Sequence, residues 1–553
     1  MKLDRKPTMQ YRTIPVFLLA ALLMEACTSG TDASYTASFS PDSLRERIIK
    51  LSSDEFMGRK PFTQGEVRTL DYLQSQFEAI GLEPGNGASY LQEVPLVAIT
   101  TTADPAMMLE GHDKKFQLNG YDDYVIWTQS RDGAVLDGDE LVFAGFGIIA
   151  PEYNWNDYEG LDVKDKVVLV MVNDPGFGTD DSTFFKGSAM TYYGRWTYKF
   201  EEAARQGAKG CLVIHDDAPA SYPFGVLQPN WNTSKLYLDS DQPVCPVEGW
   251  ITLPATKKVF EAAGLDFTTQ LTAARKPGFK GKALGISART ELTVTVTQNN
   301  SYNVIGKITG TQRPDETIIY TAHWDHLGVG QPDEAGDSIY NGAMDNASGT
   351  AGLIAIAEAF ANLETKPERT LVFLAVTAEE EGLLGSAHYA AYPVFPKETT
   401  VANINMDVVN PFGKMKDIVV VGLGQSDLDD YLIDVSREAG RYVSPDPTPA
   451  AGHYFRSDHF NFAKIGIPAL YTDSGIDHVD SGKDYGNKMV AEYIAERYHQ
   501  QSDEFDSTTW NLEGGIDDLK LLFEVGRRLA SESTWPEWKA GSEFKSIREQ
   551  YRP

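Results

Sequence analysis

The sequence predicts an α/β fold in which a mostly parallel sheet carries helices on both faces, with a smaller β-rich α/β domain inserted into it. The first observation is that short apolar runs alternate with helical patterns through the second half of the chain. The second is a change of sequence pattern in the first half, where Gly- and aromatic-rich segments with short predicted strands interrupt that alternation. The predicted division is a main domain at residues 41–100 and 289–553, with an inserted domain at residues 101–288.

The elements of the main domain follow from local patterns. Residues 43–52 predict a short helix, and residues 65–80 predict a second helix because their apolar positions recur at helical spacing. Gly81 ends that helix as a left-handed cap. Strands are predicted at residues 317–322, 370–377, 402–406, 417–422 and 467–472. Helices are predicted between and after them at residues 348–363, 382–392, 428–439 and 517–530.

Composition excludes several classes of protein. Lys and Arg total 49 against 79 for Asp and Glu, so the chain of 553 residues has a net charge of −30. A phosphate backbone would be repelled by most of such a surface, so we expect no nucleic-acid partner. The 3 cysteines include no CxxC pair, which excludes a structural zinc site built from thiolates. Any bound metal must therefore use His and carboxylate ligands.

The amino terminus predicts export. A basic stretch precedes an apolar run at residues 14–24, which is about half of the ~20 residues that a membrane span needs, so residues 1–26 read as a signal peptide. The run ends in Met-Glu-Ala-Cys, which resembles a bacterial lipoprotein cleavage box with Cys27 as the lipid acceptor. Residues 27–40 would then be a polar tether. The expected location is the periplasm or outer membrane of a bacterium, with the lipid as the only membrane contact; the alternative is a free or buried Cys27.

Lipid on Cys27 would leave Cys211 and Cys245 in an oxidising compartment. An even pair can form a disulfide there. Two buried, unpaired cysteines that pack as small hydrophobic residues are the alternative. Both interpretations stay open at the level of the sequence.

Polar clusters follow several predicted strands at the point where each strand ends. His323, Asp325 and His326 follow the strand at 317–322, and further acids follow the next strands along the chain. Ligands gather at the carboxyl ends of strands in such sheets. Two divalent ions about 3.5 to 4 Å apart need imidazole and carboxylate ligands, one of them bridging. Taken singly, these residues could be a solvated charge run, a helix-terminal acid or a core histidine; together they predict a metal centre.

The motifs at these positions resemble a known family. His-x-Asp-His-Leu-Gly at 323–328, Asp-Asn-Ala-Ser-Gly at 345–349 and Ala-Glu-Glu-x-Gly-Leu-x-Gly-Ser at 378–386 are similar to those of the co-catalytic zinc aminopeptidases, a family that also includes glutamate carboxypeptidase. The resemblance covers residues 300 to 505, and the region around Gly58 also looks like the family's amino-terminal segment. It implies the zinc exopeptidase fold and two zinc ions.

The resemblance also implies the metal ligands. His323 and Asp407 would bind one zinc ion, Glu380 would bind the other, and Asp345 would bridge them. The second imidazole should come late in the chain. We choose His499 because Tyr498-His499-Gln-Gln-Ser502-Asp503 resembles the family's terminal motif of Tyr-His followed by Ser-Asp. The other candidates are His453, His459 and His478.

Catalytic roles are implied in the same way. Glu379, beside the ligand Glu380, is the candidate general base. Asp325 is expected to accept the second ring N–H of His323 and fix its tautomer. The resemblance also implies a cis peptide after Asp345. Tyr498 is a candidate for stabilising the tetrahedral oxyanion.

The inserted domain contains a β-α-β unit, with an apolar strand at 167–172, a helix at 199–206 and a strand at 210–214. Three stretches resemble the protease-associated domain that often accompanies such peptidases: residues 143–151, 157–166 and 203–208. The resemblance implies that this domain shapes or covers the entrance to the site and takes no part in catalysis.

The leading hypothesis is an exopeptidase that removes single residues from peptide amino termini. One alternative is a carboxypeptidase acting on short acidic peptides, for which Arg456 could bind the substrate carboxylate. Another is cyclisation of amino-terminal glutamine, against which the presence of both His323 and Asp407 argues, because cyclases of similar fold use one zinc ion. A third is a binding or receptor module that has lost catalysis. Residue preference and oligomeric state are not predicted.

Replacing Cys27 by Ser tests the lipoprotein interpretation. Because the thiol is the proposed acceptor of the lipid, the Cys27→Ser protein should move from the membrane fraction to the soluble fraction. Fractionation followed by immunoblotting measures this, and an unchanged distribution would defeat the lipid anchor.

Overall fold

The computed structural model describes Met1 and residues 35–240 and 242–552. The predicted signal peptide and the proposed lipid site at Cys27 lie outside the described residues, apart from Met1. The helices are α1 (Pro41–Leu51), α2 (Gln64–Ile80), α3 (Trp196–Arg205), α4 (Asp217–Ala220), α5 (Leu253–Ala262), α6 (Phe267–Ala274), α7 (Gly349–Ala361), α8 (Leu384–Ala391), α9 (Leu428–Glu438), α10 (His459–Lys464), α11 (Gly482–Glu496), α12 (Glu513–Ser531) and α13 (Lys545–Glu549).

The strands of the first half are β1 (Glu83–Pro84), β2 (Leu91–Ala103), β3 (Ala106–Gly111), β4 (Lys114–Asn119), β5 (Tyr124–Trp127), β6 (Ala134–Phe143), β7 (Ile149–Ala150), β8 (Trp155–Asn156), β9 (Val167–Met171), β10 (Gly210–His215), β11 (Ser234–Leu238) and β12 (Val247–Thr252). Those of the second half are β13 (Lys282–Ile308), β14 (Arg313–His323), β15 (Gly328–Val329), β16 (Ile339–Tyr340), β17 (Arg369–Val376), β18 (Thr400–Met406), β19 (Asp417–Val420), β20 (Tyr442–Pro445) and β21 (Ala469–Asp473).

The main sheet has the order β1-β13-β17-β14-β18-β21-β19-β20. Its centre, β17-β14-β18-β21, is parallel, whereas β13 and β19 join it in antiparallel pairs. One apolar cluster packs α1, α2, α7, α9 and α12 on one face, and another packs α8 and α10 on the other. The predicted α/β class, with a mostly parallel sheet and helices on both faces, is confirmed.

Each predicted element of the main domain is present, with shifted ends. Gly81 caps α2 with φ 85°, as a left-handed cap requires. The helix predicted at 348–363 begins at Gly349, because a π-helical turn, Ala343–Ser348, precedes it. Helix α11 was not predicted. Tyr485, Met489 and Tyr493 recur along it at helical spacing, but only Gly486 and Tyr493 are buried.

The first half of the chain forms a second sheet region with the order β5-β12-β10-β9-β6-β13. The predicted β-α-β unit is present as β9, α3 and β10, with the two strands parallel. Strand β13 is 27 residues long and belongs to both regions, pairing with β6 near its start and with β17 near its end. Strand β2 pairs with β13 over much of this length. The predicted domain boundaries, at residues 100/101 and 288/289, fall within β2 and β13.

Two further expectations concern burial. Cys211 and Cys245 are both buried and unpaired, and each thiol lies near a backbone carbonyl, which agrees with the second of the two alternatives. Within the described part of the chain, no helix is both long enough and apolar enough to cross a lipid bilayer.

Candidate metal centre

Three parallel strands bring polar residues to the same edge of the main sheet. Strand β14 ends at His323, β17 ends at Val376 before the loop of residues 377–381, and β18 ends at Met406 before Asp407. His323 pairs in register with Val376. Because the strands run in the same direction, their carboxyl ends present these side chains to one space.

Asp345 lies between two imidazoles. Its Oδ1 is 3.2 Å from Nε2 of His323, and its Oδ2 is 3.2 Å from Nε2 of His499. Nε2 of His323 is also 3.2 Å from Oδ1 of Asp407, and Nε2 of His499 is 3.0 Å from Oε2 of Glu380. The five predicted ligands therefore converge as two sets, each with one imidazole and one terminal carboxylate, which share Asp345.

The backbone around Asp345 is fixed by side chains from elsewhere in the chain. The carboxylate of Asp503 accepts hydrogen bonds from the amides of Met344 and Asp345, both at 3.1 Å. The peptide between Asp345 and Asn346 is cis, as expected. Oδ1 of Asn346 accepts from the amide of Val408 at 3.0 Å. The position of Asp345 thus depends on the segments around both Asp407 and His499. Asp503 had no assigned role, although it belongs to the motif that selected His499.

The expected contact between His323 and the Asp325 side chain needs correction. Nδ1 of His323 is 3.2 Å from the backbone oxygen of Asp325 and 3.8 Å from its carboxylate, so the carbonyl is the hydrogen-bond acceptor. The carboxylate instead accepts from the amides of Glu379 at 3.0 Å and Glu380 at 3.4 Å. Burial raises the pKa of Asp325 to about 8. Residue spacing could not separate the two acceptors, because both belong to Asp325.

His326 takes part in the centre as well. Its Nδ1 lies 2.5 Å from Oε1 of Glu380, the oxygen that does not face His499. His326 is fully buried, and its Nε2 has no hydrogen-bond partner among the described residues. The sequence showed His326 within a motif but could not distinguish it from a core histidine. The structure shows that it orients Glu380.

His499 is the imidazole that joins the centre. It follows α11 in a loop, has φ 57° and retains 36% exposure of its side chain. The alternatives lie elsewhere: the ring of His478 accepts an amide hydrogen bond from Ser481 before α11, His459 is buried in an apolar cluster, and His453 is exposed.

The two candidate substrate residues lie outside the ligand group. The ring of Tyr498 stacks on that of His499 with centroids 3.9 Å apart, and Tyr498 is 46% exposed. Arg456 is exposed and donates a hydrogen bond to the carbonyl of Ala451 at 2.7 Å. No hydrogen bond or ion pair joins Arg456 to the ligand group.

Electrostatics in this cluster move the pKa values of neighbouring acids in opposite directions. Burial opposes ionisation of Asp345, but hydrogen bonds from His323 and His499 outweigh it and lower its pKa well below the ordinary value. Burial likewise opposes ionisation of Glu380, yet the imidazoles lower its pKa to about 2. The same contacts raise the pKa of His499 to about 10, against the effect of burial. Burial, together with the neighbouring carboxylates, raises the pKa of Glu379 well above the ordinary range.

The donor set fits zinc. Ligand atoms about 2.0 to 2.2 Å from a tetrahedral ion lie about 3.4 Å from one another. The separations of 3.0 to 3.2 Å between imidazole nitrogens and carboxylate oxygens are close to this value. Two sets of residues have ligand atoms close enough together to hold an ion, and both sets include His323. One set is His323, Glu379 and Asp407, and the other is His323, Asp345 and Glu380.

Comparison with known proteins agrees with this chemistry. Residues 303–523 match the model of peptidase family M28. The aminopeptidase NAALADL1 of Rattus norvegicus is 29% identical over 269 residues, which cover 43% of this chain and 33% of that protein. A probable zinc metalloprotease of Pyrenophora teres f. teres is 34% identical over 110 residues, or 20% of this chain and 23% of that protein. This segment is therefore similar in sequence to peptidase family M28, and the relatives that it matches include a probable zinc metalloprotease.

Two further comparisons describe the extent of the similarity. A glutamate carboxypeptidase 2 homolog of Caenorhabditis elegans is 37% identical over 145 residues, which cover 25% of this chain and 17% of that protein. The chain thus spans a third or less of these three relatives. Among solved structures, the aminopeptidase from Aneurinibacillus sp. strain AM-1 aligns over 91% of this chain and 97% of its own with 19% identity and a TM-score of 0.48.

Replacing Asp345 by Ala tests the bridging geometry. Since one carboxylate faces both imidazoles, the Asp345→Ala protein should lose both ions, whereas Asp484→Ala, an exposed change on α11, should keep them. Metal content after gel filtration, measured by mass spectrometry, checks this. Retention of wild-type stoichiometry by Asp345→Ala would rule out the bridge.

Proposed function

We propose that the protein is a metal-dependent exopeptidase that uses two zinc ions and removes amino-terminal residues from peptides. The observation that carries this proposal is the placement of the two Asp345 oxygens against separate imidazoles, each 3.2 Å away. A single carboxylate shared in this way is what a pair of ions about 3.5 to 4 Å apart requires.

The ligands divide between two positions. His323 and Asp407 would hold one ion, Glu380 and His499 would hold the other, and Asp345 would bind both. Zinc ions at these positions would polarise the scissile carbonyl and lower the pKa of water toward neutrality. The buried neighbours Asp325 and His326 orient the loop of residues 377–381 and the Glu380 carboxylate, respectively, so the ligands are held in place before an ion arrives.

Glu379 is the proposed general base. Its side chain is 10% exposed, and its carboxylate lies 3.9 Å from Nε2 of His323. This distance is longer than the 3.0 to 3.2 Å between the imidazole nitrogens and carboxylate oxygens of the predicted ligands. The hydrogen bond from its amide to Asp325 fixes the backbone from which the side chain projects. Glu379 would accept a proton from the attacking water and then donate it to the leaving amine.

Charge in the site favours a peptide amino terminus. Asp407, Glu379 and Glu380 bring largely buried carboxylates to one edge of the sheet, where bound zinc ions would offset their charge. The remaining surface is acidic, since the net charge of the chain is −30, and it would attract a positively charged α-amino group more than a free carboxylate. Tyr498, whose ring covers His499, is the proposed donor to the oxyanion.

Two alternative functions compete with the aminopeptidase proposal. A carboxypeptidase acting on short acidic peptides would use the exposed guanidinium of Arg456. A non-catalytic binding module on the same fold would keep the sheet without a functional metal centre. We further propose that the protein is exported and held to a bacterial membrane by lipid on Cys27, with the inserted domain shaping access for peptide substrates.

Replacing Glu379 by Gln separates catalysis from metal binding. Because Glu379 moves the proton, Glu379→Gln should keep the bound zinc and lose kcat by about 10²- to 10⁴-fold. Glu381→Gln is the matched control, since Glu381 is a neighbouring acid that pairs with Lys60 instead, and it should stay within about threefold of wild type. Near-normal turnover by Glu379→Gln would remove Glu379 from the role of base.

Dipeptide substrates with free or blocked termini distinguish the alternatives. An aminopeptidase should cleave substrates with a free amine and a blocked carboxyl group, reject their acetylated forms, and lose activity with a chelator. Cleavage of only those substrates that carry a free carboxylate, with a raised KM in Arg456→Gln, would favour the carboxypeptidase. A binding module should show no turnover and hold well under one ion per chain.

A further inference from the structure

The segment of residues 51–66, between the body of α1 and the start of α2, lies against the loops that carry the metal ligands. Its backbone has left-handed conformations at Met57, Gly58, Arg59 and Phe62. A Cβ on Gly58 would lie 2.5 Å from the carbonyl oxygens of both Gly328 and Tyr340, in the β15-β16 hairpin. The segment therefore packs against that hairpin without space for a side chain at Gly58.

Arg59 extends from this segment into the main domain and is 1% exposed. Its Nε donates to the carbonyl of Trp324 at 2.9 Å. Nη1 donates to the carbonyls of Asn341 at 2.6 Å and Leu51 at 2.9 Å, and Nη2 donates to that of Gly342 at 2.8 Å. One side chain thus joins three separate parts of the backbone.

Two of these parts carry metal ligands. Trp324 stands between His323 and Asp325 in the sequence, and its carbonyl accepts a hydrogen bond from Arg59. Asn341 and Gly342 lead directly into the turn that contains Asp345. Arg59 therefore sets the distance between the backbone of one terminal ligand and the backbone of the bridging ligand.

The same segment reaches the third ligand loop through Glu66. The carboxylate of Glu66 accepts from the hydroxyl of Ser301 at 2.6 Å, and that hydroxyl lies 2.6 Å from the hydroxyl of Thr377. Thr377 is two residues before Glu379. The amide of Phe62 donates to the other oxygen of Glu66, so this chain of hydrogen bonds begins within the segment itself.

Charge gives Arg59 a second effect. Burial lowers the pKa of Arg59 to about 10, while Asp503, Asp325 and Asp345 act to raise it, so the guanidinium stays protonated at neutral pH. A buried cation beside these acids offsets part of their mutual repulsion. Lysine could supply the charge, but it lacks the planar set of donors that Arg59 uses on four carbonyls.

We propose that Arg59 is a positioning residue of the metal centre, whose guanidinium fixes the loops of His323 and Asp345 at the spacing that two bridged ions require. The inference rests on the proposed function. It assigns to the segment of residues 51–66, distant in sequence from every ligand, the task of completing the site.

Arg59→Lys and Arg59→Gln test the proposal, with Arg437→Lys and Arg437→Gln as matched controls on the exposed side of α9. Zinc titration of the metal-stripped proteins should show affinity weakened about 10- to 100-fold in both Arg59 variants. The rise in Tm on adding zinc should shrink accordingly. For the zinc-saturated proteins, kcat should fall while KM stays within about threefold, because the ligands and not the substrate contacts are displaced.

The readouts separate the possible failures. Wild-type zinc affinity and kcat in a folded Arg59→Lys protein would overturn the proposal, as would equal losses in the Arg437 controls. If Arg59→Gln does not fold, Arg59→Lys, which keeps the charge, decides. The wild-type protein could also fail to cleave any peptide. Weakened zinc affinity in the Arg59 variants would then support the positioning role, and the proposed peptidase activity would be rejected.

Discussion

The centre depends on one shared carboxylate. Asp345 offers one oxygen to His323, which ends a central strand, and the other to His499, which follows an exposed helix far along the chain. Neither imidazole could share that acid unless the parallel strands ended at one edge and the turn before α7 brought Asp345 over it. The carboxylate of Asp503 accepts a hydrogen bond from the amide of Asp345 in that turn, and Arg59 donates to the carbonyl of Gly342 where the turn begins.

Much of the fold could be predicted from sequence, because strand periodicity is a local signal. His323, Glu380 and Asp407 follow apolar strands, and a parallel sheet brings such positions together, whereas Asp345 lies in the turn before α7. The individual ligand roles were implied by the resemblance to the zinc aminopeptidases. The remaining details depend on distances that sequence does not encode. Residue spacing could not show that the carbonyl of Asp325, and not its carboxylate, faces His323. It also could not show that Arg59 donates to the carbonyl of Trp324, which lies 265 positions further along the chain.

The inserted region is continuous with the main sheet through its strands. A boundary drawn by composition fell inside β2 and β13 because those strands change partners without changing direction. Strand β11 of the first half also packs Leu236 against Ala378 and Leu384, which flank the loop of the candidate base. The protease-associated-like role of this region stays a proposal, and the structure shows only that β11 shares an apolar cluster with residues after β17.

The two histidines of the centre differ in how deeply they are buried. His323 is 1% exposed at the end of a central strand, whereas His499 is 36% exposed after α11, along which only two residues are buried. Local opening of a helix with so little buried surface requires less free energy than opening of a core strand. In the proposed two-ion centre, the outer position should therefore exchange its ion with the surroundings faster than the inner one, and the occupancy of the pair would follow the supply of metal in the medium.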